Sequence, residues 1–317
     1  MKYIKDTVEF QIEEPTIVTL GKFDGRHRGH QKLLRTMKKL KEESGYPTAI
    51  FTFATAPMTM VTGQAQTVIT TNLERRANLE KMGIDYLVEY PFNEDTRRMP
   101  PELFIKDILA RRMQAREIVV GPDCSFGFKG AGNADLLGRM AVSEGYRLHV
   151  IEKERDDTRD ISSTYIREEL KKGNVEKANQ LLGQPYAIHG EVVHGNHIGG
   201  SVLGFPTANL VPPAIKLLPR FGVYVSRVLV DGCYYCGVTN IGRKPTVAGE
   251  NPIGAETYIF DLDEDLYGKV IEVQLLAFDR PEMKFGSLEE LKKRIELDKE
   301  FASAYYRSHP AIRLGSL

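Results

Sequence analysis

Short β-branched runs alternate with helical periodicities through the first half of this chain, and past Gly183 such runs follow one another with no helix between them. Thr16–Leu20, Ala49–Phe53, Tyr86–Tyr90, Glu117–Gly121 and Arg147–Ile151 read as strands. Between them, Gln31–Glu43 sets Leu33, Leu34, Met37 and Leu40 on one helical face, and a second helix runs from about Asn72 to Met82. Strand–helix alternation predicts a parallel sheet covered on both faces, whose ligands bind beyond the carboxyl ends of the strands. In the second half the strand candidates are Ala187–His194, Gly222–Val230, Tyr234–Ile241, Ala255–Asp261 and Val270–Leu276. Turn signals at Val230-Asp231-Gly232-Cys233 and Leu266-Tyr267-Gly268 predict antiparallel hairpins closing into a barrel. A final amphipathic helix starts at Ser287, with Glu290 completing a capping box and Leu288, Leu291, Ile295 and Phe301 as its buried face. The expected domains are 1–183 and 184–317, with the boundary near Gly183–Pro185.

Length agrees, since 317 residues at about 150 per domain suggest two. Lys plus Arg and Asp plus Glu each number 43, a balance that argues against a protein built to coat nucleic acid or an acidic membrane. Three cysteines make no disulfide framework, the opening residues lack an apolar signal region, and no apolar run approaches eighteen residues. A cytoplasmic chain is expected.

The most informative stretch is Gly21-Lys22-Phe23-Asp24-Gly25-Arg26-His27-Arg28-Gly29-His30, between the first strand and the first helix. A helix N-terminus offers free N–H groups and the positive end of a dipole, which favour an anion. Gly25 and Gly29 allow close approach to the backbone, and His27 and His30 can face one side of the entering turn. From Lys22 to Lys41 eight Lys or Arg stand against a single acid, Asp24. Two packed histidines on a solvated basic helix would look the same, so further segments matter. Ile161-Ser162-Ser163-Thr164-Tyr165-Ile166-Arg167 sets hydroxyls at a helix start with an Arg one turn on, suited to a triphosphate or pyrophosphate. Val120-Gly121-Pro122-Asp123 with Phe126-Gly127 follows a strand, where a ring-binding loop would lie.

Together these segments resemble the His-x-Gly-His nucleotidyltransferases, and more narrowly the adenylyltransferase half of bacterial FAD synthetases. The resemblance implies a Rossmann-like parallel sheet. It implies His27, His30 and Arg167 as catalytic groups, and Gly21, Phe23, Asp24, Gly25, Gly29, Asp123, Ser162, Ser163 and Thr164 as nucleotide- or flavin-binding residues. The chain departs from the family at Thr55 and Ala56, where Phe-x-Pro-His-Pro has lost its first Pro and its His. It departs again at Cys124 and Ser125, in place of an aromatic residue and an Arg.

In the second half, Leu203-Gly204-Phe205-Pro206-Thr207-Ala208-Asn209-Leu210 offers a hydroxyl and an amide carbonyl, hard oxygen ligands suited to Mg²⁺ with phosphates. Pro-Thr-Ala-Asn alone is usually a turn. Upstream, Gly195-Asn196-His197-Ile198-Gly199-Gly200 can wrap phosphates with backbone N–H groups. Downstream come Gly222-Val223-Tyr224, Asn240-Ile241-Gly242, Glu256-Thr257, Leu266-Tyr267-Gly268 and Arg280-Pro281-Glu282. This series resembles the riboflavin kinase module over about 130 residues from Ala187. The resemblance implies a six-stranded antiparallel barrel with a terminal helix, Thr207 and Asn209 as the Mg²⁺ ligands, and Glu256 as the base. Gly195, Gly204, Pro206, Asn240 and Arg280 would bind ATP or flavin. Ser201 and Lys244 replace the basic residue and the Arg common at those places.

Cys233-Tyr234-Tyr235-Cys236 and the His194/His197 pair raise a zinc site, but cysteines three apart on a strand point to opposite faces. No Walker A sequence is present. Taken together, the two halves resemble the bacterial bifunctional riboflavin kinase/FMN adenylyltransferase family, and the resemblance implies an enzyme of flavin cofactor biosynthesis that phosphorylates riboflavin to FMN and adenylylates FMN to FAD. Its substrates would be riboflavin, FMN and ATP, with Mg²⁺ and with neither a nucleic-acid nor a membrane partner. The alternatives are a kinase with a degraded first domain, and a flavin or nucleotide sensor without turnover, for which Glu256 would have no chemical use.

Overall fold

The computed structural model describes residues 1–54, 67–157, 159–194, 207–243 and 253–310. Thr55, Ala56, Gly195, Gly204, Pro206, Ser201 and Lys244 therefore lie outside the described residues. The chain divides into two compact units, Met1–Ser162 and Ser163–Leu317.

The first unit is built on β1 (Lys2–Lys5), β2 (Thr16–Leu20), β3 (Thr48–Phe53), β4 (Tyr86–Tyr90), β5 (Ala115–Val120) and β6 (Arg147–Val150). They form one sheet in the order β1-β4-β3-β2-β5-β6, with every neighbouring pair parallel. Alternate residues of the central strands feed two cores. Ile17, Ile50, Leu87 and Val119 pack with Leu34 and Met37 of helix α1 (Arg28–Ser44) and Leu79 of α2 (Asn72–Lys81). Val18, Phe51, Val88 and Ile118 pack against a π-helical segment, Phe104–Arg112, and against Leu136 and Leu137 of α3 (Ala134–Glu144). A strand buried on both faces shows no alternation with charged residues, and TIVTL carries none, its two threonines being buried as well. Helix α1 begins three residues before the expected Gln31, with His27 at its N-cap, because Arg28 and Gly29 carry no apolar periodicity. The expected strands omit β1, whose polar KYIK pairs along the sheet edge.

The second unit opens with α4 (Ser163–Lys172) and α5 (Val175–Leu182), which lie ahead of the Gly183–Pro185 stretch; α4 packs on α5, and α5 packs on the first and last strands of the second sheet. The Asn179 side chain accepts from the Tyr186 N–H at 2.7 Å and donates to the Leu275 carbonyl at 2.8 Å. That sheet comprises β7 (Tyr186–Glu191), β8 (Thr207–Leu210), β9 (Gly222–Val230), β10 (Cys233–Arg243), β11 (Ile253–Ile259) and β12 (Val270–Pro281). The order is β7-β12-β9-β10-β11-β8, antiparallel throughout, and a bridge between Val193 and Asn209 draws the two edges together. Asp231 and Gly232, both at positive φ, make the β9–β10 turn. Strand β12 runs past the expected Leu276 because bulges after Leu275 and Phe278 break the alternation while pairing continues.

The last helix, α6 (Leu288–Ser308), corrects its expected buried face. Leu288 is 51% exposed and Phe301 43%, whereas Asp298, Ala302 and Tyr306 are buried. Asp298 receives both arms of Arg280, at 2.9 and 2.7 Å, and the Nε of Arg294 at 2.9 Å. Burial and a hydrogen bond with Asp298 push Asp279 up to about 6. Ser287 caps the helix, but the Glu290 carboxylate accepts from Gly286 N–H at 2.9 Å, one residue earlier than a capping box requires. The Tyr306 hydroxyl accepts from Gly237 N–H at 3.1 Å and donates to the Ser226 carbonyl, riveting the helix to β9 and β10. Tyr306→Phe removes both hydrogen bonds of the hydroxyl and is expected to lower stability by about 1–3 kcal/mol in urea unfolding; an unchanged midpoint would contradict the rivet.

Candidate active sites

Past the carboxyl end of β2 the chain turns through a loop that only tight restraint can hold. Phe23 and Arg26 take left-handed backbone conformations at φ 49° and 41°, and Gly25 lies at 82°. Thr70 pins this loop on both sides of the turn. Its N–H donates to Asp24 Oδ1 at 3.0 Å, and its hydroxyl accepts from Gly25 N–H at 3.0 Å. Phe23 is buried and packs against the His30 ring with centroids 4.9 Å apart.

The imidazoles of His27 and His30 stack at 3.8 Å and 23° where α1 begins. A Cβ on Gly29 would come within 3.1 Å of His27 Nδ1, so a glycine there makes room for the ring. Burial pushes His27 down to about 4, against the opposite pull of the Asp123 carboxylate. Burial, then the neighbouring His27, holds His30 well below its ordinary value. Both rings are therefore neutral at pH 7. Their Nδ1 atoms are buried with no hydrogen-bond partner among the described residues. Two uncharged imidazoles beside the free N–H groups of a helix start can accept a phosphate without first shedding another partner.

The same burial makes stability depend on pH. Unfolded histidine takes up a proton near 6.5, whereas folded His27 resists until about 4, so the unfolded chain binds more protons between these values. Stability is full above 6.5 and is lost as pH falls toward 4, with His27 accounting for roughly 2 kcal/mol of loss by pH 5. Urea midpoints at pH 7 and pH 5 for wild type and His27→Gln should show the smaller drop in the variant. Equal drops would contradict the neutral, buried ring.

Asp123, beyond β5, is exposed and pairs with Lys153 Nζ at 3.0 Å, which in turn lies 3.6 Å from Asp160. Glu154 faces Arg28 and Lys32, each at 3.6 Å. Lys153 and Thr70 were absent from the sequence expectation because each meets the site through a partner distant along the chain. Burial and the nearby Asp123 push the Cys124 thiol up to about 11, which keeps it protonated at neutral pH. The Ile161 carbonyl borders Gly29, so the segment ending in Ser162 flanks the loop. Ser163, Thr164 and Arg167 belong to α4 in the second unit.

In the second unit, strand register assembles the other site. Asn240 stands opposite Glu256, and Glu256 opposite Asn209. On the far side Val223 pairs with both Asn240 and Arg280. Side chains directly opposite across neighbouring strands share a face, so one row gathers Asn240, Glu256 and Asn209. Thr207 reaches into it, its hydroxyl donating to Glu256 Oε1 at 2.7 Å. The buried Asn209 amide nitrogen donates to the Thr207 carbonyl at 3.2 Å, which sets the orientation of the amide. Thr207–Leu210 is a strand, not the isolated turn that its tetrapeptide suggests. The Arg280 guanidinium is engaged by Asp298. The rings of His194 and Tyr267 lie 3.9 Å apart at the entry to the Gly-rich segment.

Among the described residues no group of three or more His, Cys, Asp or Glu is placed to hold a metal. Cys233 and Cys236 both lie on β10. The donor set offered by Thr207 and Asn209 is neutral and oxygen-based, which fits a hard divalent cation whose charge is met by nucleotide phosphates.

Two family models match the chain, one in each half. The FAD synthetase family matches residues 9–165 and the riboflavin kinase family residues 182–306. The chain is 36% identical over 300 residues to the Bacillus subtilis bifunctional riboflavin kinase/FMN adenylyltransferase, covering 92% of each. The Escherichia coli K12 protein of that name is 34% identical over 296 residues, covering 93% of this chain and 94% of that one. A crystal structure named as a macrolide-efflux protein from Streptococcus pneumoniae is similar with a TM-score of 0.81 at 30% identity, covering 95% of this chain and 98% of that one. Among the described residues, no helix is long and apolar enough to cross a membrane. Enzymes built from these two modules use ATP, generally with a divalent metal. The chain belongs to the bifunctional riboflavin kinase/FMN adenylyltransferase family, transferases of flavin biosynthesis that make FMN and FAD.

Proposed function

We propose that the two reactions are divided between 184–317, which phosphorylates riboflavin, and 1–183, which adenylylates the FMN so formed. The reach of the two family matches supports the division. The single observation that carries the kinase half is the row Asn240–Glu256–Asn209 with Thr207 bonded to the carboxylate. Glu256 takes the proton of the riboflavin 5′-hydroxyl as that oxygen attacks the γ-phosphorus of ATP and ADP leaves. Thr207 orients the carboxylate through its proton and keeps lone pairs for a cation. Thr207 and Asn209 would hold Mg²⁺, which supplies charge neutralisation to the phosphates when bound. Gly195, Gly204, Pro206, Asn240 and Arg280 complete the proposed nucleotide and flavin contacts.

In the adenylyl step an FMN phosphate oxygen attacks the α-phosphorus of ATP and the bond to pyrophosphate breaks, with no covalent enzyme intermediate. His27, His30 and Arg167 stabilise the charge on the transferred phosphate and the departing pyrophosphate. Gly21, Phe23, Asp24, Gly25 and Gly29 shape the phosphate loop. Asp123, Ser162, Ser163 and Thr164 contact the nucleotide or the flavin. Free cysteines and a need for ATP support a cytoplasmic setting.

A chromatographic time course with riboflavin, ATP and Mg²⁺ tests the proposal. FMN should appear first and FAD accumulate at its expense. FMN alone would remove the adenylyl assignment, and neither product from folded protein would remove both.

A further inference from the structure

The strained Gly21–His30 loop has a third restraint that no motif contains. Arg75, on α2, is buried and spans two acceptors: its Nη1 donates to the Lys22 carbonyl at 3.4 Å and its Nη2 to Glu89 Oε1 at 2.6 Å. Glu89, at the carboxyl end of β4, is 1% exposed. Its other oxygen accepts from Arg76 at 2.6 Å and from the Tyr3 hydroxyl, and Arg76 lies over the Tyr3 ring at 4.3 Å. Burial pushes Glu89 up, but the hydrogen bonds from Arg76, Tyr3 and Arg75 outweigh it and hold the carboxyl below its usual range. A buried carboxylate met by two guanidiniums and a phenol has its lone pairs satisfied, so the network is rigid. Helix α2 is itself fixed at its start by the Thr71–Glu74 capping box, directly after Thr70. Thr70 and Arg75 thus grip the loop from one helix entrance, at Asp24, Gly25 and Lys22.

We infer that Arg75, anchored by Glu89, is a positioning residue for adenylyl transfer, fixing the phosphate loop so that its N–H groups and the His27–His30 pair stand ready for ATP. This rests on the adenylyl assignment above. Preorganised donors contribute to rate only if they need not be rearranged on binding. A non-glycine left-handed backbone holds its shape only when its neighbours over-determine it. Lysine at this position keeps the charge opposite Glu89 but lacks the planar fork that reaches both acceptors.

Arg75→Lys in the full chain is therefore the informative variant, assayed for both products. It should raise the KM for ATP in FAD formation, lowering kcat/KM by about tenfold or more. The KM for FMN and the rate of FMN formation from riboflavin should stay at wild-type values, while the unfolding midpoint falls only by the lost buried hydrogen bond. Wild-type kcat/KM for ATP would overturn the inference, reducing Arg75 to a counter-charge. If Arg75→Lys unfolds, Thr70→Val removes the Gly25 acceptor without touching Glu89 and should raise the same KM. Its failure to do so would overturn the claim that the grip matters. A wild-type chain that formed no FAD would remove the adenylyl assignment and the inference with it.

Discussion

His30→Ala should lower FAD formation from FMN and ATP by about 100-fold or more while leaving FMN formation from riboflavin unchanged. Such a loss corresponds to about 2.7 kcal/mol of transition-state stabilisation. The size follows from the setting of the ring. His30 is packed between Phe23 and His27, and its Nδ1 is buried without a partner among the described residues. An imidazole so placed does little for the fold that a phosphate does not use better. Truncating it leaves the loop's backbone N–H groups but removes the side-chain donor that meets the charge developing on the phosphates. Kinase turnover in the same chain serves as the internal check on folding. Loss of both activities from folded His30→Ala would contradict the division between the sites.

Glu256→Gln should have the opposite pattern, lowering FMN formation by about 10²–10⁴-fold and sparing adenylylation of supplied FMN. The amide still accepts from the Thr207 hydroxyl, so the cross-strand row from Asn240 to Asn209 keeps its geometry. What it loses is the ability to take a proton. Full FMN formation by this variant would show that Glu256 only orients Thr207.

The parts of this account that were legible in the sequence are those carried by short-range patterns. TIVTL announces a strand buried on both faces, and the Gly21–His30 stretch places its histidines on one turn by local spacing alone. Features built across the chain were not legible. The apolar stripe of α6 points to Leu288 and Phe301, but the helix docks through Asp298 and Tyr306, whose partners Arg280, Ser226 and Gly237 come from other strands. Bulges concealed the true length of β12. Thr207–Leu210 is a strand only by virtue of pairing with β11. Lys153 and Arg75 enter the first site through Asp123 and through Glu89 and Lys22, contacts that no local motif encodes.

The most direct test of two separate sites in one chain is a mixing experiment with riboflavin, ATP and Mg²⁺. His30→Ala alone should stop at FMN, and Glu256→Gln alone should leave riboflavin unconsumed. Mixed together, they should make FAD, because FMN released by the first variant is adenylylated by the second. No FAD from the mixture, with both variants folded, would contradict the account.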